Sequence, residues 1–265
     1  MFSYFTELNR KRPPAHLLDF VTHTTSAVVH AGDDTTVTEN LESLPAILAS
    51  TRAFIGGRPY RVGPSAIGMR QNPYGAAAME NPENGRKAMA RMDPRQRGLF
   101  GAAWNLGYIA HMVRGGVEAV ALSGPVGEFG IVHAPMDYSQ PWFDEAGGVY
   151  PVFHVIAGMV AAAGHEALET HVSPPREVQA VAHKDGAATV VWLANLTGGR
   201  RQVTVSGVTN DRGATCMLNE ATFVQCCGSP DGFRRTEQDS TEQGIQARLI
   251  DLDAYAICRL GFSDR

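Results

Sequence analysis

Residues 2–9 alternate between an apolar face and a mixed face, which predicts a β-strand that ends at Glu7 and Asn9. Apolar runs predict three further strands, at residues 26–32, 60–69 and 117–124. Helical spacing predicts helices over residues 15–23, 36–55, 93–114 and 150–165. Four strand–helix units are half of a (β/α)8 barrel. An open flavodoxin-like sheet is the alternative, but no glycine-rich phosphate turn follows the first strand.

Beyond Ser173-Pro174-Pro175 the apolar period becomes two. The predicted strands cover residues 178–182, 189–193, 202–205, 214–218, 221–225, 247–251 and 254–260. Short strands separated by glycine, asparagine and aspartate turns are typical of a β-sandwich. The predicted fold class is therefore α/β: half of a TIM-type barrel over residues 1–172, followed by an all-β sandwich-like domain over residues 173–265.

Composition narrows the function classes. The net charge of −4 gives no electrostatic case for nucleic acid or for an anionic membrane. No apolar run reaches the roughly 18 residues of a membrane span, and no signal peptide is visible, so we expect a cytoplasmic protein. The four cysteines match no metal signature, and their interpretation is reduced thiols in β-strands. We expect neither a metal nor a cofactor.

In a barrel, the chemistry lies at the carboxyl ends of the strands. The polar residues predicted there are Glu7, Asn9, His30, Asp33, Ser65, Arg70, Asn72, Tyr74 and Ser123. Glu7 follows apolar and aromatic residues, and such surroundings raise a carboxyl pKa towards the range of a general acid or base. His30 has Asp33 close by, and a carboxylate that orients an imidazole is a common catalytic device.

Each candidate also has a structural interpretation. Glu7 can pair with a nearby arginine, Asp33 or Asp34 can simply begin the next helix, and Tyr74 can pack. Ser65 lacks the Gly-x-Ser-x-Gly spacing of a nucleophile, so a polar wall is its expected role.

Three segments carry a resemblance to a known family. They are Phe2-Ser-Tyr-Phe-Thr-Glu-Leu-Asn-Arg-Lys-Arg-Pro-Pro14, Tyr60-Arg-Val-Gly-Pro-Ser-Ala-Ile-Gly-Met-Arg-Gln-Asn-Pro-Tyr-Gly75 and Asp93-Pro-Arg-Gln-Arg-Gly-Leu-Phe-Gly-Ala-Ala-Trp104. With them, both parts of the chain resemble D-apionate lactonase. The resemblance implies a glycosidase-like TIM barrel, a C-terminal β domain and hydrolysis of D-apionolactone, a small sugar-acid lactone, to D-apionate. Relative to that family the chain lacks an N-terminal region and the first four barrel strands.

Lactone opening needs a base that activates water and donors for the carbonyl oxygen. The hypothesis is that Glu7 or His30 activates water, while Arg70, Asn72 or Asn9 polarises the carbonyl and binds hydroxyls.

Two other functional readings stay open. A fragment of a retaining glycoside hydrolase would need a second carboxylate, such as Glu128, near Glu7. A truncated product without activity is the other. In either case a half barrel exposes strand edges, so we expect the chain to self-associate through them.

Overall fold

The computed structural model describes residues 4–208, 214–234 and 249–263. The chain forms two compact units. The first comprises residues 1–96, 111–130 and 136–139, and the second comprises residues 97–110, 131–135 and 140–265.

Helices and parallel strands alternate in the first unit. The helices are α1 (Phe5–Lys11), α2 (Asp34–Glu39), α3 (Leu44–Ile55) and the end of α4 (Leu99–Arg114), which belongs to the second unit up to Ala110 and to the first unit from His111. Short 3₁₀ helices cover Ala15–Leu17, Asn40–Ser43 and Pro94–Arg97. The strands β1 (Val21–His23), β2 (Tyr60–Ser65) and β3 (Ala119–Leu122) form one sheet in the order β1-β2-β3, and both pairings are parallel.

The two faces of this parallel sheet differ sharply in burial. On one face His23 and Tyr60 are buried, and the His23 ring Nε2 lies 2.6 Å from the Tyr60 hydroxyl. The guanidinium of Arg52 in α3 lies over the Tyr60 ring, so this is the helix-covered face. On the opposite face Thr22, Arg61 and Ala119, which are paired across the three strands, are all exposed. Parallel sheets in proteins are ordinarily covered on both faces, so this exposed face is unusual.

The strand predicted over residues 2–9 is wrong from residue 5 onwards. Tyr4 makes a single parallel bridge to Thr24, and α1 then begins at Phe5. Residues 1–3 lie outside the described part of the chain. Ion pairs from Glu7 to the residues three and four positions later stabilise the helix, and the alternation of residues 5–9 did not reveal them.

The second predicted strand is also displaced. Residues 26–32 are irregular, and the strand is Val21–His23, inside the segment predicted as a helix. The side-chain amide of Asn40 donates to the backbone carbonyl of Ala27. This bond satisfies a backbone acceptor that would bond to a neighbouring strand if the segment were part of the sheet. The strand predicted at 60–69 ends at Ser65, and the strand predicted at 117–124 covers Ala119–Leu122.

The second unit is built mainly of antiparallel strands. A five-stranded sheet has the order β4 (Ala167–Leu168), β5 (Val178–Asp185), β6 (Ala188–Asn195), β10 (Ile257–Ser263), β8 (Ala214–Leu218). A two-stranded sheet pairs β7 (Arg201–Thr204) with β9 (Leu249–Leu252). Helices α5 (Phe143–Ala146), α6 (Pro151–Ala161) and α7 (Phe223–Cys227) complete the unit.

Apolar side chains from both sheets form the core of this unit. Ala182, Val191 and Leu260 of the five-stranded sheet share one buried cluster with Ile250 and Leu252 of the two-stranded sheet. Two sheets that enclose one apolar layer are a sandwich, as the period-two pattern predicted.

The strand predicted at 221–225 is wrong, because residues 223–227 form α7. Asn219 and Thr222 exchange hydrogen bonds between backbone amides and side-chain oxygens, which folds the chain into a turn before the helix. As a result Cys226 and Cys227 are helical, whereas Cys216 and Cys258 lie in strands; all four are buried thiols that form no disulfide. Within the described ranges no helix is long and apolar enough to cross a membrane.

Candidate functional site

The carboxyl ends of the parallel strands meet at one edge of the first unit. The Thr25 amide and hydroxyl lie 3.3 Å and 3.0 Å from the Ser65 hydroxyl oxygen, just past β1 and at the end of β2. The Ser123 amide donates to the Ser65 carbonyl over 2.9 Å, directly after β3. Ser65 and Ser123, both predicted site residues, are therefore adjacent and buried at this edge.

Arg70 is the charged group held most firmly at this edge. Its guanidinium donates to the Ser123 carbonyl over 2.5 Å and lies 4.2 Å from the centre of the Phe129 ring. Its Nε is buried and has no hydrogen-bond partner within the described ranges. Burial lowers the pKa of Arg70, and the nearby positive charge of Arg91 adds to the effect. The ring and the carbonyl fix the guanidinium, and one donor of its fork is left unused.

Glu128 supplies the negative charge beside this guanidinium. Its carboxylate pairs with Arg91 over 3.0 Å, and the Arg91 guanidinium lies on the Phe129 ring at 5.1 Å. Burial acts to raise the pKa of Glu128, but hydrogen bonds from its own amide and Arg91, with the charges of Arg91 and Arg70, outweigh burial, and the pKa lies below its ordinary value. Glu128 is therefore ionised at neutral pH.

Tyr4 adds a phenol to the same edge. Its hydroxyl donates to the carbonyl of Gln71 over 2.5 Å, next to Arg70. Burial raises the pKa of Tyr4, although the positive charge of Arg70 opposes the shift. The phenol is a neutral donor at physiological pH.

A buried ion pair anchors the 3₁₀ helix Pro94–Arg97 behind the site. The Arg95 guanidinium contacts the Asp93 carboxylate at 2.6 Å and the Asp34 carboxylate at 3.0 Å. The next residue, Gln96, donates from its side chain to the Ser123 hydroxyl and to the Gly130 carbonyl, each over 3.0 Å. Asp93 therefore fixes the turn from which Gln96 holds Ser123 in place.

The structure puts Glu7 and Asn9 in surroundings unlike those predicted. Glu7 lies on α1 and pairs with Lys11 at 2.7 Å and Arg10 at 3.0 Å. The hydrogen bond and charge of Lys11 lower the pKa of Glu7, so the expectation of a raised pKa is wrong: the carboxylate meets ammonium and guanidinium groups instead of an apolar pocket. The Asn9 side chain accepts from Arg12, the residue that caps the end of the same helix.

His30 and Asp33 lie in the irregular segment after β1. His30 is exposed. Asp33 is the N-cap of α2 and accepts from the Thr36 amide at 2.9 Å and the Thr36 hydroxyl at 2.7 Å, and these bonds lower its pKa. The interpretation that one of the two aspartates begins the helix is confirmed for Asp33.

Asn72 and Tyr74 shape the long loop after β2. The Asn72 side chain accepts from the Tyr74 amide and donates to the Ala77 carbonyl, so it closes the turn. Tyr74 is 74% exposed and packs on little of the chain.

Four residues at this edge escaped the sequence analysis as site residues: Tyr4, Arg91, Gln96 and Phe129. Gln96 lies within a predicted helix, at residues 93–114, and Phe129 follows Glu128 in a loop without periodicity. One sequence feature could have pointed to them: an acid and an aromatic residue, Glu128 and Phe129, stand together in the loop after β3, where they can pair with Arg70. In the described part of the chain no group of three or more His, Cys, Asp or Glu side chains could hold a metal ion.

Comparison with solved structures agrees with this architecture. A family 51 α-L-arabinofuranosidase from Bifidobacterium longum matches over 97% of this chain and 55% of its own, with a TM-score of 0.56 and 13% identity. A glycoside hydrolase family 44 endoglucanase from Clostridium acetobutylium matches over 98% and 50%, with a TM-score of 0.55 and 7% identity. At these identities the likeness concerns the fold alone.

Sequence comparison is more specific. A sequence model described as D-apionate lactonase, TIM barrel domain, matches residues 1–164, and one described as D-apionate lactonase, C-terminal immunoglobulin-like domain, matches residues 175–260. The chain is thus a TIM-barrel protein with a C-terminal immunoglobulin-like domain. The D-apionate lactonase of Brucella anthropi is 42% identical over 206 residues, which are 78% of this chain and 32% of the relative. The chain belongs to the D-apionate lactonase family, and it spans about a third of the curated relative's length.

Proposed function

We propose that this chain provides the catalytic edge of a lactone hydrolase that opens D-apionolactone to D-apionate. The observation that carries the proposal is the 42% identity to a curated D-apionate lactonase. The cluster of Arg70, Glu128 and Tyr4 at the strand ends supports it, because ester hydrolysis needs an oxyanion donor and a base.

We further propose that the chain is half of the barrel, made of four βα units over residues 1–172, and that the β domain begins at residue 173. Three parallel strands and the bridge of Tyr4 to Thr24 support four consecutive barrel strands. The exposed face with Thr22, Arg61 and Ala119 supports the rest, because the interior of a complete barrel buries that face. The expected self-association follows from the same face and its edges.

Arg70 polarises the lactone carbonyl in this proposal. Its guanidinium is stacked and already positioned, so it can bind the oxyanion that forms when water attacks, without a costly rearrangement. When the ring C–O bond breaks, the leaving alkoxide takes the proton that the base removed from water. The new acid group then ionises to a carboxylate, which lies beside a cation. Ser65 and Ser123 then line the wall, while Asn9, Asp33, Asn72 and Tyr74 remain candidates for binding hydroxyls.

Glu128 is the base that we favour for the attacking water. It is ionised and lies within the field of Arg70, whereas Glu7 is held by Arg10 and Lys11 on a helix surface. Glu7 and His30 stay in the proposal as the two competing bases. The reaction needs no metal or cofactor in this scheme, and we place the enzyme in the cytoplasm.

The test is a pH-stat assay, since each lactone opened at pH 7.5 releases one proton. The 265-residue chain is assayed alone and after mixing with the part of the Brucella anthropi enzyme that lies outside the matched region. We expect activity in the mixture that exceeds the sum of the separate parts. An active mixture that hydrolyses an aryl arabinofuranoside but not the lactone would overturn the reaction class. No activity from a mixture that demonstrably forms a complex would overturn the proposal itself.

A further inference from the structure

A cavity in the second unit takes no part in the lactonase proposal. It has a volume of about 350 Å³ and lies between α6 and the face of the five-stranded sheet that carries His183, Trp192 and Arg259. The opposite face of the same sheet carries the sandwich core. The volume is at the low end of the roughly 300–1,000 Å³ typical of small-molecule sites.

Two side chains that line the cavity, Trp192 and Arg259, carry N–H donors. Trp192 is 2% exposed, and its indole N–H is buried with no hydrogen-bond partner among the residues that the structure describes. The Arg259 guanidinium lies over the Trp192 ring at 5.9 Å. A buried donor without an acceptor costs about 1–3 kcal/mol, so an acceptor supplied by a ligand would relieve it.

Two histidines extend this donor-rich wall. The Nδ1 atoms of His165 and His183 are 3.4 Å apart, and the same His183 nitrogen lies 3.2 Å from the Lys184 carbonyl. A carbonyl only accepts, so His183 Nδ1 carries the proton and His165 Nδ1 accepts.

The acidic groups lie at the rim of the cavity. Asp185 and Asp231 are exposed, as is Arg234 beside them in the lining, whereas Arg259 is partly buried and Trp192 is fully buried. Cationic and N–H groups inside favour an anionic acceptor, and carboxylates outside accept from hydroxyl groups. Phe153 and Phe233 provide apolar wall for a carbon skeleton.

From this arrangement we propose that the cavity is a binding site for a small polyhydroxylated carboxylate. The carboxylate accepts from Trp192 and Arg259, and the hydroxyls reach Asp185 and Asp231. The site is separate from the strand-end edge, and the proposal does not depend on the lactonase reaction.

Equilibrium dialysis of the 265-residue chain against radiolabelled D-gluconate tests this, because it counts bound ligand per chain whatever the oligomeric state. We expect saturable binding of one D-gluconate per chain. Trp192→Phe removes the N–H and keeps the ring, and Arg259→Met removes the charge; each should weaken binding by about 10- to 100-fold, as loss of a hydrogen bond to a charged group does. The control variant Trp142→Phe makes the same change as Trp192→Phe, but outside the cavity. It should bind D-gluconate as wild type does.

Three results would overturn the proposal. They are absence of saturable D-gluconate binding, equal binding of the neutral polyol sorbitol, and unchanged affinity in both cavity variants. Inorganic phosphate that binds as tightly as D-gluconate would identify a general oxyanion site instead, which would also refute the organic ligand class. Near-ultraviolet circular dichroism checks that each variant keeps its tertiary structure.

Discussion

Asp93→Asn should destabilise the first unit and loosen the site behind Ser123. The Asp93 and Arg95 side chains are 1% and 3% exposed, so their contact is shielded from water. Removing one partner of a buried ion pair costs about 3–5 kcal/mol, because the other charge is left without compensation. Arg95 keeps Asp34 at 3.0 Å, and asparagine keeps one acceptor, so we expect the lower end, about 3 kcal/mol. That is roughly a 150-fold change in the folding equilibrium.

Urea unfolding at pH 7, followed by circular dichroism, measures this loss. The matched control is Asp34→Asn, which removes the outer partner of the same arginine, 28% exposed, and should cost about 1 kcal/mol or less. The double variant Asp93→Leu/Arg95→Met replaces the pair with apolar groups and should recover most of the loss. The reasoning is refuted if Asp93→Asn unfolds within about 1 kcal/mol of wild type, or if the double variant is as unstable as the single one.

Three further predictions follow from the same contacts. In the active mixture of this chain with the remaining part of the Brucella anthropi enzyme, Arg70→Met and Glu128→Gln should each lower kcat/KM by about 100- to 1,000-fold, while Glu7→Gln stays near wild type. A larger loss of kcat/KM in Glu7→Gln than in Glu128→Gln, measured by the pH-stat assay, would instead identify Glu7 as the base. Burial lowers the pKa of His111 to about 4, so protonation favours the unfolded chain and the free energy of unfolding should fall, by at most about 3 kcal/mol, as pH drops from 6.5 to 4; His111→Gln should flatten that dependence, and an equally steep curve in the variant would contradict it. In size-exclusion chromatography with light scattering, the chain alone should have a molar mass above that of the monomer, because its exposed sheet face and edges can associate with another copy. A monodisperse monomer would contradict this prediction.

The sequence predicted the succession of elements better than their boundaries. Helix α4 and strands β5, β6 and β8 were predictable, because caps, turns and periodicity agree locally. The strands predicted at residues 2–9 and 26–32 were wrong or displaced, since a three-residue strand such as Val21–His23 carries too little pattern to outweigh its surroundings. Alternation at residues 5–9 was misleading, because side-chain ion pairs three and four positions apart stabilise a helix there.

The site could be predicted only in part, for a different physical reason. Ser65, Arg70 and Ser123 were predicted to lie at one edge because strand ends converge in a parallel sheet, and they do lie together there. Arg91 and Phe129 come from loops, and only their packing on Arg70 brings them to the edge. The pKa of Glu7 depends on which face of a helix it occupies, and no spacing rule gave that helix.

The contact between α6 and the five-stranded sheet has a consequence for how this family can vary. A Cβ at Gly158 would lie 2.3 Å from the indole of Trp192, so a side chain at one position excludes the ring at the other. The two positions are therefore expected to change together: a family member with alanine at the first should carry a smaller residue than tryptophan at the second. Such a paired substitution, found by comparing sequences alone, would show that this helix and this sheet lie close together.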